Sequence, residues 1–405
     1  MHSWVGLKLS VFMFFVLATG TLAVFAHEID WLLNADMRVR PSEQRASWAE
    51  MLSNVREDYP AWRVDYLRAS VEPWFAAEAV ISAADGEQRR VYVDPYSGDV
   101  KGDAPWFNAQ RFLRQAHRHL MLPIAWGVPI VCTMAVVLLL SFGTSLVIYK
   151  RWWRGWLRWP RRGDARRFWG DLHRLCGLWT MPFLLLIALT GIWYLVEELG
   201  GEAPPLIGTV EPAEESSPAV GAAELIARGN EIFPRLEIRN LIPSGPAGAF
   251  VLQGDAGAWL VRPRANTVLL DAGDGTVLAR LDARDLSVHQ RISEAADPLH
   301  FGTFGGMLTK SLWFLFGLAM SAMSATGVYL YGLRVLKTRG RMNSTLQNTS
   351  KGRSDSTLRP SPARSGRRRW RAAWRGMHAW RYVGLALVGL VLLLSVPSAL
   401  NRLPW

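Results

Sequence analysis

Five apolar runs of about 18 residues or more punctuate the chain, at 7–26, 120–149, 175–196, 312–331 and 383–400. Crossing roughly 30 Å of hydrocarbon takes about 20 residues of helix, so each run predicts a transmembrane span. Between the spans the pattern changes period. Helix-like stretches at 42–58 and 218–232 are followed by strand-like alternation at 62–67 and 236–241. Each polar segment also carries a hairpin pattern: Val91-Tyr-Val-Asp-Pro-Tyr-Ser-Gly-Asp-Val100 in the first, Val268-Leu-Leu-Asp-Ala-Gly-Asp-Gly-Thr-Val277 in the second. Asp94 and Asp271 stand 177 residues apart, as do Gly98 and Gly275. Each reads as strand, tight turn with its required Gly, and strand. The predicted fold is an α-helical polytopic membrane protein with five transmembrane helices and two small α+β domains, each an antiparallel sheet crossed by a helix.

The pattern repeats as a whole. One unit is an outer domain, a span going in, a basic loop and a span coming out, and it occurs twice behind one extra N-terminal span. The predicted organisation is an anchor at 1–26, a first outer domain at 27–116, and a span at 117–149. A basic inner loop at 150–170, a span at 171–197 and a second outer domain at 198–299 follow. The chain then continues through a span at 300–333, a second basic loop at 334–376, a span at 377–400 and a short tail at 401–405. Within the second basic loop, 340–366 is rich in Ser, Thr and Arg and reads as a disordered linker.

Charge sets the orientation. The chain carries a net charge of +12, which suggests nucleic acid until it is mapped. Residues 150–167 hold eight Lys/Arg against Asp164, and 334–377 hold thirteen against Asp355. The outer segments are acidic: 27–116 has fifteen acidic and eleven basic residues, and 198–299 has fifteen and eight. Loops that alternate in sign follow the positive-inside rule, which places the N-terminus and both basic loops on the cytoplasmic side. The basic charge is then explained by topology and the lipid bilayer, and nucleic-acid binding is disfavoured. The first run reads as an uncleaved anchor, with a cleaved signal peptide ending near Ala26 as the alternative. Cys132 and Cys176 both lie within spans and cannot staple an outer domain.

The histidines carry the functional argument. His117 and His119 enter the second span from outside, His173 the third from inside, His300 the fourth from outside and His378 the fifth from inside. Four helices thus carry histidine at two matched depths. A lone interfacial imidazole needs no special explanation, but two facing imidazoles on neighbouring helices are how a bundle holds a haem. Zinc wants further ligands, and Asp171 is the one acidic residue near these positions. Gly177, Gly302, Gly305, Gly306 and Gly384 follow the candidates and suit close backbone approach by a porphyrin, or plain helix packing. Arg118 and Arg174 suit propionates, or snorkelling. The span centres contain no Asp, Glu, Lys or Arg, which argues against a proton- or ion-coupled transporter.

Three features together resemble the PepSY-associated transmembrane proteins. They are the second outer hairpin, Leu299-His-Phe-Gly-Thr-Phe-Gly-Gly306, and Leu172-His-Arg-Leu-Cys-Gly-Leu-Trp179 with its later Leu189-Thr-Gly191. The resemblance covers about residues 40 to 400. The repeated Asp-x-x-x-Gly hairpins are similar to the ends of PepSY domains, so the outer domains are expected to be PepSY-like and periplasmic. Some family members are di-haem inner-membrane ferric-siderophore reductases of the ferripyoverdine reductase type. The resemblance therefore implies an oxidoreductase of the bacterial inner membrane that carries haem b, two per chain, and reduces Fe(III) to Fe(II) for iron release. A large hydrophilic chelate such as pyoverdine is one candidate siderophore.

His173 and His300 match the family motifs best. His117 matches its His-Arg opening, with His119 as the alternative. Met377-His-Ala-Trp-Arg departs from the usual His-Arg at His378. The expected ligand pairs are His173 with His378 inside, and His117 or His119 with His300 outside. No strand–GxGxxG–helix unit is present for a nucleotide cofactor, so the electron donor is expected to be a membrane quinol or a cytoplasmic reductase. Periplasmic helper proteins and an iron-uptake transporter are expected partners by analogy. Trp152, Trp153, Trp156 and Trp159 read as an interfacial belt or a donor dock. Two alternatives stand beside the reductase: a membrane-anchored PepSY binding or regulatory module, and a ferric-chelate permease.

Overall fold

A computed structural model describes residues 9–208, 220–350, 370–371, 374–375, 377 and 379–399. His378, residues 351–366 of the expected linker, and the tail at 401–405 lie outside the described residues. The helices in chain order are α1 Ser10–Ala23, α2 Ala26–Leu33, α3 Trp48–Asp58, α4 Ala109–His119, α5 Ile124–Ile148 and α6 Ala165–Trp179. They continue as α7 Met181–Val196, α8 Ala222–Ile232, α9 Val288–Phe301, α10 Gly306–Ser350 and α11 Trp380–Ala399. The chain divides into a helical unit, within residues 9–24, 113–195 and 310–395, and a sheet unit, within 25–112 and 196–309.

The sheet unit holds the strands β1 Arg63–Arg68, β2 Ala77–Ser82, β3 Gln88–Val93 and β4 Val100–Pro105 of the first repeat. The second repeat supplies β5 Glu237–Ile242, β6 Phe250–Asp255, β7 Thr267–Leu270 and β8 Val277–Leu281. The duplication read from two hairpins extends to every irregularity. Asp65 bulges from β1 and Arg239 from β5; Lys101 bulges from β4 and Leu278 from β8. In both hairpins the aspartate side chain accepts from a backbone N–H two residues on, Tyr96 in one and Gly273 in the other. Gly98 and Gly275 have φ of 82° and 74°, a left-handed turn that favours Gly.

Two separate small domains were expected. The structure instead shows one eight-stranded antiparallel sheet, in the order β4-β3-β2-β1-β5-β6-β7-β8. The join is β1 against β5, where Leu67 pairs with Leu241, the residue at its own position in the other repeat. The two halves are therefore related by a pseudo-two-fold axis through that pair, as in an isologous dimer interface. Joining removes two exposed strand edges, each a row of unpaired backbone groups. It also merges the apolar residues of α3 and α8 with those of both half-sheets into one core, including Val55, Leu67, Ile81, Phe233, Leu241 and Leu252. A half-domain of this size buries little core alone.

Among the described residues three stretches are long and apolar enough to cross a membrane: Ile124–Ile148, Met181–Gly201 and Thr303–Leu333. The bent pair α1 and α2, meeting at 64°, is a fourth candidate, and Trp380–Val396 is a shorter apolar helix. Small residues set the packing. A Cβ on Gly317 would lie 2.6 Å from Thr21 Oγ1, one on Gly384 2.8 Å from Val11 Cβ, and one on Gly191 2.8 Å from Ala135 Cβ.

Span starts differ from expectation in a consistent way. His117 and His119 close α4, and the chain then breaks at Leu120 and Met121, with φ of 58° and 56°, before α5 begins behind Pro123. His300 closes α9, which Gly302 ends in a left-handed cap at φ 69°. His117, His119 and His300 thus terminate the helix before each apolar stretch rather than open that stretch. His173 lies on α6, one helix before the apolar α7, and Pro182 sits in the first turn of α7, where its missing N–H costs nothing. The backbone of α10 stays helical to Ser350, into the stretch read as a linker.

Candidate functional site

Helix α6 starts at Asp164, whose carboxylate accepts from Arg167 N, and carries Asp171, His173, Arg174 and Gly177. Asp171 is buried and accepts from Arg161 through its backbone N–H, Nε and Nη2, and from Arg174 Nη2 at 2.9 Å. This carboxylate folds the basic loop back onto α6 and orients Arg174, whose guanidinium lies 5.7 Å from the centre of the Tyr149 ring.

His173 and Arg174 both line a mainly apolar cavity of about 550 Å³ within the helical unit, together with Tyr149, Gly177, Met323 and Gly327. His173 Nδ1 lies 3.0 Å from Thr326 Oγ1, and that hydroxyl donates to Met323 O at 3.1 Å. A hydroxyl has one hydrogen, so Thr326 accepts from Nδ1–H. The neutral ring then carries its lone pair on Nε2.

The same tautomer recurs. His117 Nδ1 donates to the Val16 carbonyl at 2.9 Å, and His119 Nδ1 to the Leu122 carbonyl at 2.6 Å. A carbonyl can only accept, so both rings are protonated at Nδ1. The two differ in what holds them. His119 is buried in its own turn, which closes against Gly127, where a Cβ would lie 2.1 Å from the His119 carbonyl oxygen. His117 is tied across helices to α1.

In the sheet unit, α9 begins with a capping box between Ser287 and Gln290 and ends at His300 and Phe301, whose rings meet edge to face at 5.6 Å. Glu294 and Asp297 of this helix are held by Arg262: Nε and Nη2 reach the two Glu294 oxygens at 2.8 Å each, and Nη1 reaches Asp297 at 3.0 Å. Arg264 Nε adds a bond to Glu294 at 3.0 Å. The start of α4 is anchored as firmly. Buried Asp30 accepts from Ala109 N at 3.0 Å and Gln110 N at 3.1 Å, two of the N–H groups a helix start leaves unsatisfied. Burial pushes its carboxyl up to about 6, against the lowering effect of the Gln110 and Ala109 N–H groups.

The glycines near these histidines turn the chain or pack closely against neighbours. Gly302 and Gly306 have positive φ and make the break between α9 and α10, while Gly305 abuts Thr309. Gly177 packs against Met323, and Gly384 against Val11. Among the described residues no group of three or more His, Cys, Asp or Glu comes together as a metal site. Sequence reasoning missed Asp30, Thr326 and the Val16 carbonyl. Asn108 already caps α4 by accepting from Arg111 N at 3.0 Å, so nothing local signalled the first, and the other two leave no signal either.

The chain matches the family described as PepSY-associated TM region over residues 1–334. It belongs to that family. A relative in Pseudomonas aeruginosa, described only as an uncharacterized protein, is 26% identical over 56% of this chain and 64% of its own length. The chain thus spans less than two thirds of that relative. In this PepSY-associated membrane protein the family match takes in α1, the whole sheet unit and His117, His119, His173 and His300.

Proposed function

We propose that this protein is a haem-carrying ferric-siderophore reductase of the bacterial inner membrane. On this reading five spans cross the bilayer, with the N-terminus cytoplasmic and the sheet unit periplasmic. The observation that carries it is the shared state of His117, His119 and His173. Each is protonated at Nδ1 by a hydrogen bond to the protein, which fixes ring orientation and makes Nε2 the basic nitrogen, the arrangement ligating histidines use. The cavity beside His173 fits a cofactor in size and character: about 550 Å³ and mainly apolar, where cofactor pockets run roughly 300–1,000 Å³. Arg174, set by Asp171, offers it a cation.

His173 would hold an inner haem b with His378, and His117 or His119 would hold an outer one with His300. Haem supplies reversible one-electron chemistry at iron. The protein's own residues do the rest. Thr326 orients His173, the apolar walls exclude water from the inner site, and Arg262 and Asp30 fix the helices that end in the outer histidines. One electron from a quinol or a cytoplasmic reductase converts siderophore-bound Fe(III) to Fe(II), which the chelate holds less tightly. Periplasmic helpers and an iron-uptake transporter would take the released iron.

The test is a dithionite-reduced minus air-oxidised spectrum of detergent-purified protein, with pyridine haemochrome quantitation. About two b-type haems per chain are expected, and about one after His173→Ala. A colourless protein made with adequate haem supply would overturn the reading in favour of an anchored binding module. Uptake of ferric chelate into vesicles without reductant would favour a permease.

A further inference from the structure

The outer histidine site has a wall that lies far from it in sequence. The acceptor for His117 Nδ1–H is the Val16 carbonyl, 101 residues away on α1. One turn further along α1, Gly20 faces the same imidazole. A Cβ at Gly20 would lie 2.6 Å from His117 Cε1, 2.8 Å from Nδ1 and 3.2 Å from Nε2. Contacts that close do not occur between real atoms, so any residue larger than Gly must displace either the ring or the helix. The ring reaches the Val16 carbonyl, which also accepts from Thr19 Oγ1 at 3.1 Å, because Gly20 leaves room beside the helix backbone in place of a side chain.

Helix α1 is itself held in the helical unit. Gly317 of α10 meets Thr21, Gly384 of α11 meets Val11, Ser324 Oγ donates to Ser10 O at 3.3 Å, and Ser10 Oγ reaches Met377 Sδ at 3.2 Å. A signal peptide has no such neighbours, because it leaves before the bundle closes.

We infer that α1 is a permanent positioning element of the outer site, in which the Val16 carbonyl sets the tautomer and rotamer of His117 and Gly20 is the clearance that lets the ring reach it. This rests on the reading of His117 as a ligand. It also makes cleavage near Ala26 incompatible with an intact outer site, because cleavage would carry the acceptor away.

The experiment compares Gly20→Ala with Gly191→Ala in the full chain purified in detergent. Gly191→Ala is the control: a Cβ there would lie 2.8 Å from Ala135 Cβ of α5, with nothing of α1 or His117 in reach. Two properties are read: haem per chain, and the rate of carbethoxylation of His117 by diethyl pyrocarbonate, followed by peptide mass spectrometry. Gly20→Ala is expected to lower haem from about two to about one per chain and to raise the His117 modification rate about tenfold, as overpacking opens the site. Gly191→Ala is expected to leave both near wild type. Intact mass is expected to include residues 1–26.

Unchanged His117 reactivity in Gly20→Ala, or an equal rise in Gly191→Ala, overturns the inference. So does a chain that lacks residues 1–26 yet keeps both haems. A colourless wild type would sink the reductase reading alone, since His117 reactivity still decides whether α1 walls this ring.

Discussion

Replacing Glu294 by Met should destabilise the sheet unit by about 3 kcal/mol, because it strands a charge that the fold has taken out of water. The Glu294 side chain is 1% exposed and receives Arg262 Nε and Nη2, both at 2.8 Å, Arg262 N at 3.3 Å and Arg264 Nε at 3.0 Å. Breaking a buried pair by removing one partner costs about 3–5 kcal/mol. The lower end applies here, since Arg262 keeps Asp297 and its side chain is 24% exposed. At roughly 2–4 °C per kcal/mol for a unit of this size, the melting temperature should fall by about 6–12 °C. The double variant Arg262→Met/Glu294→Met removes the stranded charge as well and should recover about half of that loss, because an apolar pair of similar volume substitutes well for a buried ion pair. Thermal unfolding of the purified protein, followed by circular dichroism, reads all three. A single variant melting within about 2 °C of wild type, or a double variant melting below the single, would refute the reasoning.

On the proposed reductase reading, Thr326→Val removes the acceptor for His173 Nδ1–H and should weaken haem retention at His173 about 10–100-fold, with Thr326→Ser restoring it; haem release to apomyoglobin measures this, and equal release rates would exclude an orienting role. Asp30 titrates near 6, above its ordinary 3.8. The folded state therefore favours the protonated acid, so the stability it contributes is full below about 3.8 and lost as pH rises through about 6, roughly 2–3 kcal/mol in all. Melts of Asp30→Asn between pH 4 and 7.5 should lack that component, and profiles parallel to wild type would count against it. Leu67→Ala and Leu241→Ala should each cost about 2–5 kcal/mol and by similar amounts, since the two fully buried residues occupy one pseudo-symmetric position. Unequal denaturant midpoints beyond about 1 kcal/mol would break the equivalence.

Local patterns carried much of this structure. Apolar runs longer than a core helix needs announced spans, and an Asp-x-x-x-Gly hairpin twice at the same interval announced a duplication, because turn chemistry is read over four or five residues. The family followed from such short motifs, and the match over residues 1–334 bears it out. Helix boundaries near the histidines were less legible. Hydropathy does not register a two-residue break, so the left-handed pair Leu120 and Met121 looked like the opening of a span.

What the sequence by itself determined is therefore whatever a short window of side chains decides: which segments are apolar enough for lipid, where a hairpin must turn, and that the pattern occurs twice. What only the tertiary structure decided is how those pieces meet. The pairing of Leu67 with Leu241, which turns two expected domains into one sheet, depends on two edges finding each other across more than 170 residues. The Thr326 hydroxyl under His173 and the Val16 carbonyl under His117 are likewise long-range partners. A backbone carbonyl is present at every position, so no residue type marks the one that matters; only the packing of one helix against another selects it.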